Sequence, residues 1–170
     1  MMGNFRMTAA AAMALALAAC GEKPAPVEEI AAASLTGGLY ELSAEVTGVA
    51  ATGKGAPATK LKLGDRLVTR ACVGADGKPA PELLAEEGDK CQFKESYVRN
   101  GRMNGQMSCT RKGADGNIAP IFDGTFKADS FEGEITTATQ LYNGGDYRLT
   151  RKVTAKRVGD CPPDAAKTAA

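Results

Sequence analysis

Cys91 and Cys109 close two stretches of strand-like alternation, "CQFKESYV" (91–98) and "RMNGQMSCT" (102–110), that meet at Arg99–Asn100–Gly101. No other feature constrains the fold as much. If Arg99–Asn100–Gly101 is a three-residue loop with Gly101 in the left-handed position of a G1 bulge, Val98 closes against Arg102. Counting outward from the loop, Cys91 then falls opposite Cys109 at a non-hydrogen-bonded pair. Cα atoms approach there to ~4.5 Å, within the range a disulfide tolerates. The same register places Phe93, Tyr97, Met103 and Met107 on the cysteine face. Gln92, Lys94, Ser96, Asn104, Gln106 and Ser108 take the other. A two-residue Asn–Gly turn would slip the register by one residue and misalign this sorting.

The chain holds five cysteines. Cys20 lies far from the β region, at the end of an apolar N-terminal block, and so Cys72 and Cys161 remain for a second bridge, from the second strand to the end of the last. On the chain-entropy model the short loop would contribute about 3 kcal/mol and the long one about 4–5 kcal/mol. A four-thiolate zinc site is the competing reading, but its ligands normally come as close pairs such as C-x2-C, and these four are widely spaced. No metal site and no other cofactor is expected.

Glycine and turn dipeptides punctuate the rest of the middle region at short intervals, the pattern of an all-β chain. "GLYELSAEVTGV" (38–49) alternates, with Tyr40, Leu42, Ala44 and Val46 on one face. "RLVTRACV" (66–73), "IFDGTFKA" (121–128), "SFEGEITTATQLY" (130–142) and "YRLTRKVTAKRV" (147–158) complete the strands. "PAPELLAEEG" (79–88) is the one helix-like piece. The expected fold is a small antiparallel meander or partly closed barrel of about six to seven strands, disulfide-stapled, with at most one short helix. A bridge is physically apt here. The chain has no tryptophan, only four tyrosines and five phenylalanines, and Phe5 lies outside the β region. Aromatic side chains bury the most area, so the core is thin for its length and covalent help is expected.

The N-terminus explains the fifth cysteine. "MMGNFRM" carries Arg6, and residues 8–19, "TAAAAMALALAA", form an uncharged apolar block. That block is shorter than the ~20 residues a spanning helix needs and suits the apolar region of a signal peptide. "LAAC" (17–20) resembles the bacterial lipobox, which implies that Cys20 is acylated and becomes the first mature residue. Gly21 rather than aspartate follows it, which in the enteric sorting rule implies the outer membrane. The chain thus divides into a signal peptide (1–19), a lipidated N-terminus and flexible tether (20–36), a β domain (37–161) and a disordered tail (162–170). Cleavage removes Arg6 and no acidic residue, leaving basic and acidic groups balanced. Neutral charge and export both argue against a nucleic-acid partner. The expected partners are the membrane, through the N-terminal lipid, and an envelope protein or an anionic lipid or glycan.

"GGLYEL" at the first strand, "CV" at 72–73, single cysteines at 91 and 109, and the ending "KRVGDC" (156–161) resemble the domain-of-unknown-function family 3617. The resemblance covers about residues 37–161. It implies a small exported bacterial domain, often a lipoprotein, and implies no activity. The segment after the first of these cysteines, "CVGADGKPAP", is shorter here than the family often has.

Candidate sites are few. Histidine is absent, which removes the commonest general base and metal ligand and any Ser–His–Asp arrangement. No catalytic residue is assigned, and an enzyme is not expected. Arg148, Lys152 and Lys156 share one face of the last strand with Thr150 and Thr154, a stripe that could meet an anionic surface or be an ordinary solvated face. Glu132 and Glu134 lie about 6.6 Å apart along a strand, a spacing inverting glycosidases use, yet Thr136 and Gln140 continue that face as polar surface. Met103, Met107, Phe93 and Tyr97 either fill a core or line a cavity for a hydrophobic ligand. "DGK" (76–78) and "ADGN" (114–117) lack the alternating carboxylates of a calcium loop and read as turns. The expected role is a non-enzymatic envelope binding or assembly accessory, facing the periplasm. A carrier of a hydrophobic ligand is the alternative.

Overall fold

The computed structural model describes residues 32–163. The expected signal peptide, Cys20, most of the expected tether, and the tail beyond residue 163 lie outside the described residues. Seven strands and one helical turn follow one another: β1 (Gly38–Ala51), β2 (Arg66–Val73), α1 (Pro81–Leu84), β3 (Asp89–Arg99), β4 (Arg102–Arg111), β5 (Ala114–Lys127), β6 (Ser130–Leu141) and β7 (Tyr147–Gly159). They form one antiparallel sheet in the order β2-β1-β7-β6-β5-β4-β3. The β3–β7 meander is thus extended by the β1–β2 hairpin, which returns to pair with β7. The sheet curls into a half-barrel whose edges, β2 and β3, do not pair.

Period-two patterning decides which face turns inward. Tyr40, Leu42, Ala44 and Val46 of β1 are all buried, as the alternation predicts. Phe122, Ile135, Leu149 and Val153 continue that face across β5, β6 and β7. Phe131 joins the aromatic residues, stacked on Tyr40 at 6.1 Å and edge-on to Phe122 at 5.8 Å between ring centroids. Curling brings β5 and β6 close where Gly124 faces Gly133. A Cβ on either would stand 2.2 Å from a backbone carbonyl oxygen of the other strand, so only glycine permits this approach.

The gap between β2 and β3 is bridged by the connection that contains α1. It is a single turn, with Pro81 opening it and the Ala85 N–H closing on the Pro81 carbonyl. Leu83 and Leu84 are buried in the main core cluster and fill the concave side. The helix-like signal over 79–88 thus resolves into one turn whose main contribution is two leucines.

The β3–β4 hairpin places Cys91 opposite Cys109 as expected, but by another route. Arg99 pairs with Arg102, so the loop is a two-residue Asn100–Gly101 turn rather than a three-residue one. Both residues have positive φ, 53° and 72°, which Asn and Gly tolerate. A bulge between Phe93 and Glu95 absorbs the one-residue difference and restores the cysteine register. It also reverses the expected faces beyond it. Tyr97 turns outward, 44% exposed, and pairs with Asn104, whereas Val98 faces Met103. Ser96 moves to the half-buried side.

Two other boundaries differ. "ADGN" is not a turn: the turn is Lys112–Gly113, and β5 already begins at Ala114. The reason is β6, which pairs with β5 along its whole length up to Gly116↔Leu141. The folded unit also begins before Gly37. Leu35 is buried in the core. The Thr36 N–H donates to the Ala128 carbonyl at 2.7 Å, and the Gly101 N–H donates to the Ala32 carbonyl at 3.1 Å. Residues 32–36, expected as the end of a tether, therefore cross one end of the half-barrel as part of the domain.

Candidate functional site

Residues 85–89 leave α1 at the opposite end of the half-barrel and carry two carboxylates into its interior. Glu86 is 5% exposed, and the Asp89 side chain is fully buried. Burying such groups unpaired would cost several kcal/mol, so each needs partners. Arg111, at the end of β4, donates through Nε and Nη2 to the two Asp89 oxygens at 2.5 and 3.0 Å. Its Nη2 also lies 3.1 Å from Glu86 Oε2, and its Nη1 donates to the Ala58 carbonyl at 3.0 Å. Tyr147 donates its hydroxyl to Glu86 Oε1 at 3.1 Å, and Thr59 donates to Oε2 at 3.2 Å. Arg151 of β7 reaches from beneath. Its Nη2 and Nη1 donate to the Leu84 and Ala85 carbonyls at 2.7 and 3.3 Å.

Two guanidinium groups and two carboxylates thus share one buried region. Burial works against the charge of Arg111, but its hydrogen bond to Asp89 and the nearby Glu86 outweigh that effect and raise its pKa. Arg151 is lowered by burial, against the attraction of Glu86 and Asp89. Tyr147 is raised by burial and by the Glu86 charge, with Arg111 opposing. The donors and acceptors of Glu86, Asp89 and Arg111 point at one another. The cluster can therefore join the 52–65 loop, the α1 connection, β4 and β7, but it presents no free nucleophile.

Sequence reasoning did not find Glu86, Asp89, Arg111, Tyr147 or Arg151. One signal was present. Arg151 occupies a core-parity position between Leu149 and Val153, where a charge demands a buried counterpart. Its partners are distant in sequence and nothing in their spacing links them.

Tyrosine burial gives the domain a testable alkaline limit. Tyr40 is pushed up to about 12 from 10.0, first by burial and then by Asp129, with Arg157 opposing. The folded state holds this proton more tightly than the unfolded chain. The stability it supplies is fully present below pH 10.0 and is lost as pH rises towards about 12. Tyr147 shifts the same way and adds to the loss. Urea midpoints are expected to fall above pH 10.0, and Tyr40→Phe to make that fall shallower. An unchanged slope in Tyr40→Phe would refute the assignment.

The residues singled out in the sequence are placed as follows. Cys91 and Cys109 are bonded across β3 and β4 with Cα atoms 4.1 Å apart, and Cys72 is bonded to Cys161 at 5.8 Å. Ligand atoms of Asp89, Cys91 and Cys109 lie within 4.8 Å of one another, but sulfurs bonded to each other offer no thiolate. Arg148, Lys152 and Lys156 do stand exposed on the outer face of β7. Their cross-strand neighbours interrupt the stripe: Lys152 lies between Glu45 and Glu134, and Lys156 between Glu41 and Ser130. Glu132 and Glu134 are exposed on the same face. Met103 and Met107 are 2% and 1% exposed within the packed core. No helix among the described residues is long and apolar enough to cross a membrane.

Fold and site together define a class: an open antiparallel half-barrel, stapled by two disulfides and plugged through a buried ionic cluster. The chain belongs to the protein family of unknown function DUF3617, whose profile it matches over residues 29–161. No curated protein and no solved structure matches it.

Proposed function

We propose that this protein is a lipoprotein, anchored through Cys20 in the outer membrane of the cell envelope and facing the periplasm, whose task is binding or assembly of an envelope component rather than catalysis. The observation that carries this reading is the use of the cysteines. The four in the domain pair with one another, which leaves Cys20, at the end of "LAAC", as the one cysteine outside the two bridges. Paired cysteines suit an oxidising compartment, and a lipobox cysteine suits the envelope. The layout of the domain agrees. Ala32 enters beside the β3–β4 turn, and Cys161 leaves at the same end of the half-barrel, bonded to the end of β2. An anchor at Cys20 reaches Ala32 through at most ~40 Å of chain. It therefore presents the far end, with the 52–65 loop and the β6–β7 turn, to the periplasm.

This reading is preferred to a carrier of a hydrophobic ligand because Leu83, Leu84, Met103 and Met107 pack into the main core cluster. The decisive experiment is intact-mass analysis of the mature protein from fractionated cells. The expected polypeptide begins at Cys20, carries acyl chains and sediments with membranes, and Cys20→Ala releases the protein into the soluble fraction. A mature chain beginning elsewhere, or an unmodified Cys20, overturns the proposal.

A further inference from the structure

Arg99 stands directly opposite Arg102 across the Asn100–Gly101 turn, and both are exposed. Two like charges in that position repel and weaken a hairpin. The exposed arginines of β2 are neutralised by β1, Arg66 by Glu45 and Arg70 by Glu41. Arg99 and Arg102 make no ion pair among the described residues. The bulge between Phe93 and Glu95 adds an aromatic ring to the same place. It turns Tyr97 outward, onto the face that carries Arg99, and re-aiming a side chain is a recurrent use of bulges. Charge on an edge strand such as β3 can serve only to ward off a second strand. An exposed tyrosine beside the charges works against that purpose, because it restores apolar area.

Tyrosine and arginine each join an apolar body to a polar tip, which suits the boundary between water and a bilayer. Residues that flank a two-residue turn form a hydrogen-bonded pair with Cα atoms about 5.5 Å apart. The Arg99 and Arg102 guanidiniums can therefore close together on the phosphate oxygens of neighbouring headgroups. The tip also lies where the chain enters the domain. The Gly101 N–H donates to the Ala32 carbonyl, and the Phe126 N–H donates to the Gly101 carbonyl. Acidic residues bound this surface: Asp123 pairs with Asn104, and Glu132 pairs with Thr125, one and two strands in from the hairpin. Only the tip suits an anionic partner.

We infer that the tip of the β3–β4 hairpin, through Tyr97, Arg99 and Arg102, is a contact surface for the phosphates of an anionic lipid bilayer. The inference rests on the lipoprotein reading for which membrane is met. An anchor at Cys20 joins the domain at this same end, so the tip touches the bilayer that holds the anchor, and the half-barrel stands upright on its hairpin.

The chain has no tryptophan, so Tyr97→Trp places a single fluorescent reporter at the tip. The mature protein carrying it, purified from whichever cell fraction holds it, is combined with vesicles of phosphatidylcholine, alone or with an equal part of phosphatidylglycerol. The emission is expected to move to shorter wavelength, and brominated lipid to quench it, only where phosphatidylglycerol is present. Arg99→Gln with Arg102→Gln is expected to weaken this contact by about 5-fold for each arginine, roughly 25-fold together. Lys54→Gln with Lys112→Gln removes the same charge from exposed positions at the opposite end and should leave the contact unchanged. Hydrogen-exchange protection of β4 and β5 shows that each variant is folded. Tip contact is read whether or not Cys20 is acylated, so its failure is distinct from failure of the anchoring experiment. Three results overturn the inference. One is emission that does not respond to phosphatidylglycerol. Another is an equal loss of contact from the two lysine substitutions. The third is saturable binding of inorganic phosphate, removed by the two arginine substitutions, without any response to vesicles, which would assign the tip to a soluble anion.

Discussion

Arg111→Gln is expected to lower the unfolding free energy by about 3–5 kcal/mol, the range for breaking a buried ion pair from one side. The size of the loss comes from what stays behind. The Asp89 side chain is fully buried, and Arg111 supplies both of its charged hydrogen bonds. Glu86 keeps Tyr147 and Thr59 as donors, so Asp89 is the group left without compensation. The substitution also frees the Ala58 carbonyl, and with it the 52–65 loop. Adding Asp89→Asn to Arg111→Gln should recover much of the loss, because the orphaned charge is gone and a neutral amide costs less to bury. Arg66→Gln is the control. Its pair with Glu45 has side chains 80% and 51% exposed, and such pairs contribute about 0–1 kcal/mol. Urea denaturation with the disulfides intact reads all three variants. A loss below that of Arg66→Gln would mean that the cluster does not hold the plug in place.

What the sequence disclosed and what it concealed follow from the range of each interaction. Strand alternation is local, so β2 is where "RLVTRACV" predicts it and the inward face of β1 is the one its pattern names. Cysteine pairing became readable through a hairpin, where register needs only a turn and a count. Even there, two local solutions gave the same answer at Cys91 and differed in between. A three-residue loop and a two-residue turn followed by a bulge are indistinguishable at the cysteines, and only the latter turns Tyr97 outward. The early start of β5 was hidden because it contains Gly116 and Pro120, residue types that usually interrupt a strand. They are held in the strand by pairing with Leu141 and Thr137 of β6. The ionic cluster was least legible. Glu86, Asp89, Arg111, Tyr147 and Arg151 meet only after the sheet has curled and the connection has crossed it, and no local period encodes that meeting.

Removing the Cys72–Cys161 bridge is expected to destabilise the domain more than removing Cys91–Cys109. The two close loops of sequence separation 89 and 18, for which chain entropy gives about 4–5 and about 3 kcal/mol. The architecture widens that difference. Cys91 and Cys109 sit on neighbouring strands already joined by a ladder of hydrogen bonds and a short turn, so the hairpin has a local route to its register. Cys72 and Cys161 belong to β2 and to the chain beyond β7, which are separated in the sheet by β1. Their bond straps over the start of β1 and pins an edge strand that has one hydrogen-bonded neighbour. Against a typical total of about 5–15 kcal/mol, losing it would bring the protein close to unfolding at growth temperature. The paired substitutions Cys72→Ala with Cys161→Ala, and Cys91→Ala with Cys109→Ala, are compared by urea denaturation and hydrogen exchange. The first should show the lower midpoint, with β2 amides losing protection ahead of β4–β6. Equal midpoints would place the greater restraint in the hairpin, and the strap across β1 would then add nothing beyond what the β1–β2 ladder already holds.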